Sequence, residues 1–283
     1  MNKETLESSA AKFVRESPYN YVSAEEALSP DMAGLRIYDE PIWGYADAHD
    51  PLFHELQKKG VVGPQFMLPE QWLPSARSVI SFFLPFSDEV KKSNYEPGEK
   101  ASTQWLHARI EGQRMVMMLC KFVSEALCSE GYECLTPCGD SRFRMVAEPR
   151  PELTGDWAGA SYTSNWSERH VAYVSGLGTF ALSKGMITEK GIAGRFGSVV
   201  VSCDFEPKLR EYTGIYDYCI RCGACVKRCP VGAISLETGK NHAICSALLA
   251  KTHMKDAPYY GCGKCQTKVP CESRNPLRQK AQA

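Results

Sequence analysis

Eight cysteines crowd into the last quarter of the chain, and their spacing limits what that part of the protein can fold into. Cys219, Cys222, Cys225 and Cys229 follow the order C-x-x-C-x-x-C-x-x-x-C, with a proline directly after the last. Three thiolates on one tight loop can each reach a different iron of a cubane, while the fourth ligates the other cluster of a two-cluster domain. The spacing therefore predicts [4Fe-4S] clusters.

Two clusters need four more thiolates, and the downstream sequence supplies them. One cysteine lies in "HAICSALLAK" and three lie in "GCGKCQTKVPCE". In the two-cluster order, the first cluster takes Cys219, Cys222, Cys225 and Cys271. The second cluster takes Cys229, Cys245, Cys262 and Cys265. A zinc site with two separated C-x-x-C knuckles is the alternative, and a disulfide network is a further one.

The remaining five cysteines fall in helix or strand patterns, so we predict that they are small core residues. They are Cys120, Cys128, Cys134, Cys138 and Cys203.

Charge and hydropathy exclude two classes of partner. The 283 residues carry 33 basic and 33 acidic side chains, without the basic excess that a protein needs to hold a large nucleic acid. The segment "MNKETLESSAAKFVRES" has no apolar signal region, and no apolar run reaches the about 18 residues that span a bilayer. We expect a cytoplasmic protein with no membrane partner.

Periodicity indicates a mixed fold in the first two thirds of the chain. Apolar residues at helical spacing predict helices at Thr5–Glu16 and from about Thr103 to Ser129. Apolar β-rich runs predict strands at Ala76–Phe86, Tyr132–Cys138 and Gly197–Phe205. We therefore expect an α+β or α/β core.

The composition changes to Cys, Gly and Lys after residue 205, which predicts a domain boundary near residue 206. We expect a cofactor and substrate domain at 1–205, a cluster domain at 206–275 and a tail at 276–283.

A glycine turn follows a short helix in the middle of the chain. Asn165 to Glu168 is similar to a capping box, His170 to Val174 fits a short amphipathic helix, and Gly176 is placed to end it. Gly178 would let the backbone approach something flat and large. The alternative is a helix stop followed by a hairpin.

The order "CIRCGACVKRCPVGAI", a lone cysteine and then "GCGKCQ" resembles the ferredoxin-type half of epoxyqueuosine reductases. "LPSARSVISFFLPF" is similar to an early strand of that family, and "ERHVAYVSGLGTFALSKGMIT" to its helix that ends in A-G-L-G. The resemblance covers most of residues 65 to 271. It implies a nitroreductase-like α/β domain that holds a base-off cobalamin, followed by a bacterial ferredoxin-like domain with two [4Fe-4S] clusters. Related reductive dehalogenases combine the same parts.

The resemblance also implies site residues. The cofactor would lie over the glycine turn, at Gly176, Leu177, Gly178, Thr179 and Phe180. Tyr162 takes the place of the family's proton-donating aspartate, and a phenol with an ordinary pKa near about 10 is protonated at neutral pH. A packing role for Tyr162 is the alternative. Cys271 departs from the family pattern, since it arrives two residues late.

Together these features predict an iron-sulfur reductase that takes electrons from an external low-potential donor. Two clusters would pass them to a cobalamin that reduces a small-molecule substrate. The alternatives are a non-catalytic electron-transfer or corrinoid-handling protein and a reductase that uses flavin mononucleotide (FMN). The chain ends at Ala283 without the helical-repeat extension of many epoxyqueuosine reductases, and with its zero net charge we do not expect tRNA as a substrate.

Overall fold

The computed structural model describes residues 2–149 and 160–278, and only the backbone at 146–149 and 160–162. The helices of this part are α1 (Lys3–Glu16), α2 (Leu52–Leu56), α3 (Pro69–Trp72), α4 (Asp88–Ser93), α5 (Thr103–Cys128), α6 (Glu168–Val174), α7 (Ala224–Arg228) and α8 (His242–Asp256). The strands are β1 (Ile42–Asp47), β2 (Ser78–Pro85), β3 (Cys134–Leu135), β4 (Met145–Pro149), β5 (Ala160–Ser164), β6 (Gly178–Phe180), β7 (Met186–Thr188), β8 (Gly194–Val201), β9 (Ile234–Ser235) and β10 (Gly239–Lys240). Within the described ranges, no helix is both long and apolar enough to cross a membrane.

An antiparallel sheet in the order β1-β2-β8-β3 forms the centre of the N-terminal part. Ile80 of β2 lies opposite Tyr45 of β1 and Val199 of β8. Every residue of β2 is buried. A strand with a nearly continuous apolar sequence is stable in this position because it is covered on both faces.

Helices supply the cover on both sides of the sheet. Ile80 and Phe82 pack into a core with Leu119 of α5, and α1 contributes to the same core. The neighbouring residue Val79 points to the opposite face, where it packs with Val171 of α6. This alternation follows from the period of two in a strand. It places α5 and α6 on opposite sides of β8.

The predicted helices and the longest predicted strand are confirmed, and the other two predicted strands have different bounds. The two predicted helices correspond to α1 and α5, and the predicted strand at Ala76–Phe86 corresponds to β2. The strand predicted at Gly197–Phe205 runs instead from Gly194 to Val201. The strand predicted at Tyr132–Cys138 shrinks to two residues, because Pro137 begins a 3-10 turn and lacks the N–H that a longer strand needs.

The cysteines outside the C-terminal part divide into buried and accessible ones. Cys120 and Cys203 are buried, as predicted, and Cys134 and Cys138 are half-buried. The prediction is wrong for Cys128, which is exposed because it is the last residue of α5 and that helix ends at the surface.

After β8 the chain leaves the sheet and forms α7, the β9–β10 hairpin and α8. Backbone hydrogen bonds join this part to the N-terminal part at both of its ends. Before α7, Lys208 N donates to Tyr45 O at 2.9 Å, and after α8, Cys271 O accepts from Ile192 N at 2.9 Å. The boundary near residue 206 stays a prediction. Residues 279–283 of the predicted tail lie outside the described residues.

Candidate metal centre

Four cysteines from distant parts of the sequence line one pocket. Cys219, Cys222, Cys225 and Cys271 all line this pocket, which opens to the surface. Cys222 is exposed and the other three are half-buried, so this set reaches the surface. The structure therefore brings Cys271 to the first three cysteines despite its shifted spacing.

The other four predicted ligands form a second set. Cys265 lies within electrostatic range of Cys245 and Cys229, and Cys262 within range of Cys265 and Cys245. Asn241 caps the helix that carries Cys245, since its Oδ1 accepts hydrogen bonds from the N–H groups of Ala243 and Ile244. The N–H of Ala233 donates to Cys229 Sγ at 3.2 Å.

A short repeat, C-G-x-C, builds one turn of each set. Gly223 and Gly263 both adopt the left-handed conformation, with φ of +74° and +68°, and each precedes a helical turn that carries the next cysteine. Glycine adopts this conformation with little strain. Gly263 has a second reason to be glycine, because a Cβ there would lie 2.0 Å from Cε2 of Trp105.

The chemistry of both sets fits a cluster of several metal ions. Burial and, to a smaller extent, neighbouring thiols raise the pKa of Cys225 to about 11 and that of Cys271 to about 12. Thiols gathered in this way resist deprotonation until cations bind them. Among the described residues, no three Cys, His, Asp or Glu side chains converge closely enough for a single metal ion. The thiols of one zinc site would converge at about 2.3 Å from the metal, whereas a cubane holds them further apart.

The two sets adjoin each other and the N-terminal part. Cys265 of the second set is the neighbour that most raises the pKa of Cys225 after burial. Cys265 in turn lies within electrostatic range of Arg169 at the start of α6. The thiols thus form a continuous path from the exposed Cys222 to α6.

In the glycine turn after α6, Gly178 is packed against the protein itself, while Gly176 and Leu177 line a pocket. Gly176 has φ +81° and ends the helix as predicted. A Cβ on Gly178 would lie 2.0 Å from the carbonyl oxygen of Ile187 in β7, so the predicted close approach is to the paired strand. Leu177 and Thr179 are 4% and 0% exposed, and Phe180 is half-buried. The hairpin thus accounts for the close approach at Gly178, and the cofactor contact at residues 176–180 stays a prediction.

The predicted capping box at Asn165–Glu168 is wrong. The N-cap of α6 is Ser167, whose Oγ lies 2.8 Å from His170 Nδ1 and caps no helical N–H. Glu168 accepts hydrogen bonds from the Ser198 hydroxyl at 2.7 Å and the Cys138 thiol at 3.0 Å. Glu168 therefore joins the helix to the sheet instead of closing its own first turn.

The predicted proton donor, Tyr162, belongs to β5, where its backbone pairs with Ala147 of β4. Its side chain lies outside what the structure describes, so its role stays a prediction.

Lys264 is a site residue that the sequence analysis missed. It lies between two predicted ligands in "CGKC", and its side chain is 1% exposed. Its Nζ donates to Asn94 Oδ1 at 2.9 Å, and the Asn94 side chain donates to Cys262 O at 2.9 Å. Burial lowers the pKa of the ammonium, while the Cys262 thiol opposes that shift. A buried charge needs a compensating partner, and thiolates of the second set are the nearest suitable one.

We expect Lys264→Met to lower the reduction potential of a cluster held by the second set. A nearby cation favours the more negative, reduced state, and its removal takes that support away. A redox titration followed by paramagnetic resonance measures the shift. The exposed residue Lys227 offers a control, since water screens its charge and Lys227→Met should leave both potentials unchanged. Equal shifts in both variants would contradict the role of Lys264.

Comparisons with known proteins agree with the first four cysteines, Cys219 to Cys229. A family model described as "4Fe-4S binding domain" matches residues 212–235. No curated protein sequence matches the chain. The class indicated by the fold and the thiols is an iron-sulfur protein of mixed α/β structure.

Solved structures show which fold this is. An epoxyqueuosine reductase from Streptococcus thermophilus matches with a TM-score of 0.50 and 16% identity, over 98% of this chain and 68% of its own. A selenomethionine-labelled epoxyqueuosine reductase matches with a TM-score of 0.51 and 17% identity, over 96% of this chain and 66% of its own. A catabolic reductive dehalogenase matches with a TM-score of 0.54 and 11% identity, over 86% of this chain and 31% of its own. The chain thus has an iron-sulfur reductase-like fold and spans about two thirds of these epoxyqueuosine reductases.

Proposed function

We propose that the protein is an iron-sulfur reductase that passes electrons through two [4Fe-4S] clusters to a cobalamin, which reduces a small-molecule substrate. The observation that carries this proposal is the pair of adjoining four-thiol sets beside α6. When bound, the clusters supply one-electron transfer and the cobalamin supplies low-potential reduction. In this proposal residues 1–205 form a nitroreductase-like domain, and residues 206–275 form a ferredoxin-like domain.

The chain's own residues suggest a direction for electron transfer. Cys222 is exposed, so the first set faces an external low-potential donor. Cys225 and Cys265 lie within electrostatic range of each other and join the first set to the second, and Cys265 lies within range of Arg169 at the start of α6.

Residues in and just after α6 offer aromatic surface for a flat cofactor. The Phe180 ring lies 4.8 Å from the His170 ring and 6.3 Å from the Tyr173 ring, centre to centre. Burial and the charge of Arg169 lower the pKa of His170 to about 4, so its ring is neutral at pH 7. We assign Phe180 to the cofactor wall, and Gly176, Leu177, Gly178 and Thr179 to its support. Tyr162 is the proposed proton donor.

A second candidate is an electron-transfer or corrinoid-handling protein without substrate chemistry. The observation in its favour is the packed glycine turn, since Ile187 fills the space beside Gly178 where the resemblance places a corrin. A flavin-dependent reductase is a variant of the first candidate.

Anaerobic titration with cobalamin and with FMN, before and after dithionite, separates these candidates. We expect a change in the visible spectrum with cobalamin but none with FMN. Tyr162→Phe should keep the cobalamin change and lose substrate reduction, because it removes only the hydroxyl. If the wild-type protein binds neither cofactor, the second candidate replaces the first.

A further inference from the structure

Three arginines from separate elements lie near the start of α6, where Arg195 is within electrostatic range of Arg109 and Arg169, and Arg169 of Cys265. Arg195 of β8 donates from Nη2 to Arg109 O of α5 at 2.7 Å and from Nη1 to Gln113 Oε1 at 3.1 Å. The Arg109 guanidinium lies 4.0 Å from the ring centre of Tyr260. Arg169 of α6 donates from Nη1 to Lys184 O at 2.6 Å. Each guanidinium is therefore fixed by neutral groups.

None of the three arginines forms an ion pair with a carboxylate in the part of the chain that the structure describes. Arg210, which is half-buried, does form one, with Asp50. Arg195 lies close enough to both Arg109 and Arg169 for their charges to repel. Arg169 is exposed, so its free donors can reach a ligand. Three like charges without a paired carboxylate favour a bound anion.

Unused polar atoms lie in the same place. Arg109 Nε is buried and has no hydrogen-bond partner. Tyr38 is 0% exposed, its hydroxyl also has no partner, and it lies within electrostatic range of Arg195. Buried polar atoms in proteins are nearly always hydrogen-bonded, so an acceptor that reaches this cluster would satisfy them.

The chemistry of these groups selects the ligand. Guanidinium groups present rigid N–H forks that match carboxylate and phosphate oxygens. Arg169 uses one of its donors and Arg195 two in the bonds above, so each has donors left. Tyr260 beneath Arg109 and the neutral His170 add aromatic surface beside the charges.

We propose that Arg109, Arg169 and Arg195 form a binding site for an oxyanion, the carboxylate or phosphate of a molecule bound beside α6. The site depends on the proposed function only for the identity of that molecule, since anion binding itself needs neither clusters nor turnover. Its position next to Cys265 puts the anion at the inner end of the thiol path. The oxyanion belongs either to the substrate or to the nucleotide loop of cobalamin.

Calorimetric titration of the anaerobically purified full chain with inorganic phosphate and with benzoate tests the site. Wild-type protein should bind at least one of these anions. Arg169→Gln and Arg195→Gln should each weaken that binding about tenfold or more, because each removes a charge-assisted hydrogen bond. Arg77→Gln, on the exposed start of the sheet, should bind like wild type. Absence of binding by wild type, or equal binding by all variants, would overturn the proposal.

Melting temperature separates a binding role from a structural one. Removing one of several repelling charges should leave the melting temperature unchanged or raise it, while phosphate should raise the melting temperature of wild type only. A lower melting temperature with unchanged anion affinity would show that the arginines only brace the backbone. Titration with cobalamin and with cobinamide, which lacks the nucleotide-loop phosphate, then identifies the source. A preference for cobalamin that both variants lose assigns the anion to the cofactor, and no preference assigns it to the substrate.

Discussion

Cys222→Ser and Cys262→Ser should each remove one cluster and leave the other. Wild-type protein should contain eight irons and eight sulfides per chain, because eight thiolates in the two-cluster order hold two cubanes with four irons each. Each variant should fall to about four irons and lose a different paramagnetic signal. The reason lies in the geometry, since Cys222 borders the pocket with Cys219 and Cys271, while Cys262 lies beside Cys245 and Cys265.

Cys229→Ser should have a wider effect. Cys229 ends α7, whose first turn carries Cys225 of the first set, yet its own thiol belongs to the second set. Metal binding and folding are coupled, so losing this ligand should disturb both sets. Iron and sulfide analysis with paramagnetic resonance on anaerobic samples makes the measurement. Cys128→Ser is the matched control, because Cys128 is exposed and far along the chain from both sets. Zinc in the wild type, or the same loss of both signals in all three variants, would contradict the separate assignment.

The sequence predicts the parts of this protein whose structure depends on residues close together in the chain. The cysteine spacing predicts eight ligands, and the structure brings the same eight thiols into two sets, which leaves the clusters themselves a prediction. The apolar run of β2 and the periodicity of α5 are equally local, and both predictions are confirmed. Gly176 follows the same logic, because a left-handed residue after a helix favours glycine.

The arginine cluster could not be predicted in this way. Arg109, Arg169 and Arg195 come from α5, α6 and β8, and nothing in their neighbouring residues indicates that they meet. Lys264 is an intermediate case. A lysine between two ligands in "CGKC" is visible in the sequence, but only its burial against Asn94 distinguishes it from an exposed lysine.

Gly178→Ala tests whether the glycine turn serves the fold or contacts a cofactor directly. The added Cβ would lie 2.0 Å from Ile187 O, so β6 and β7 must separate, and we expect a loss of about 3 kcal/mol in the free energy of unfolding. The damage should extend to the first cysteine set. Thr179 Oγ accepts the N–H of Tyr218, the residue before Cys219, so iron content should fall toward that of Cys222→Ser.

Gly60→Ala is the matched control for that measurement. Gly60 also has positive φ, at +91°, but a Cβ there meets nothing within 4 Å. Gly60→Ala should lower the free energy of unfolding only by the backbone strain, about 1 kcal/mol. Its iron content should equal that of wild type. Anaerobic thermal melting with iron analysis compares the two variants. If Gly178→Ala melts like Gly60→Ala and keeps its iron, yet no longer binds cobalamin, then the turn contacts the corrin as the family resemblance implies, and the packing against Ile187 is not what requires the glycine.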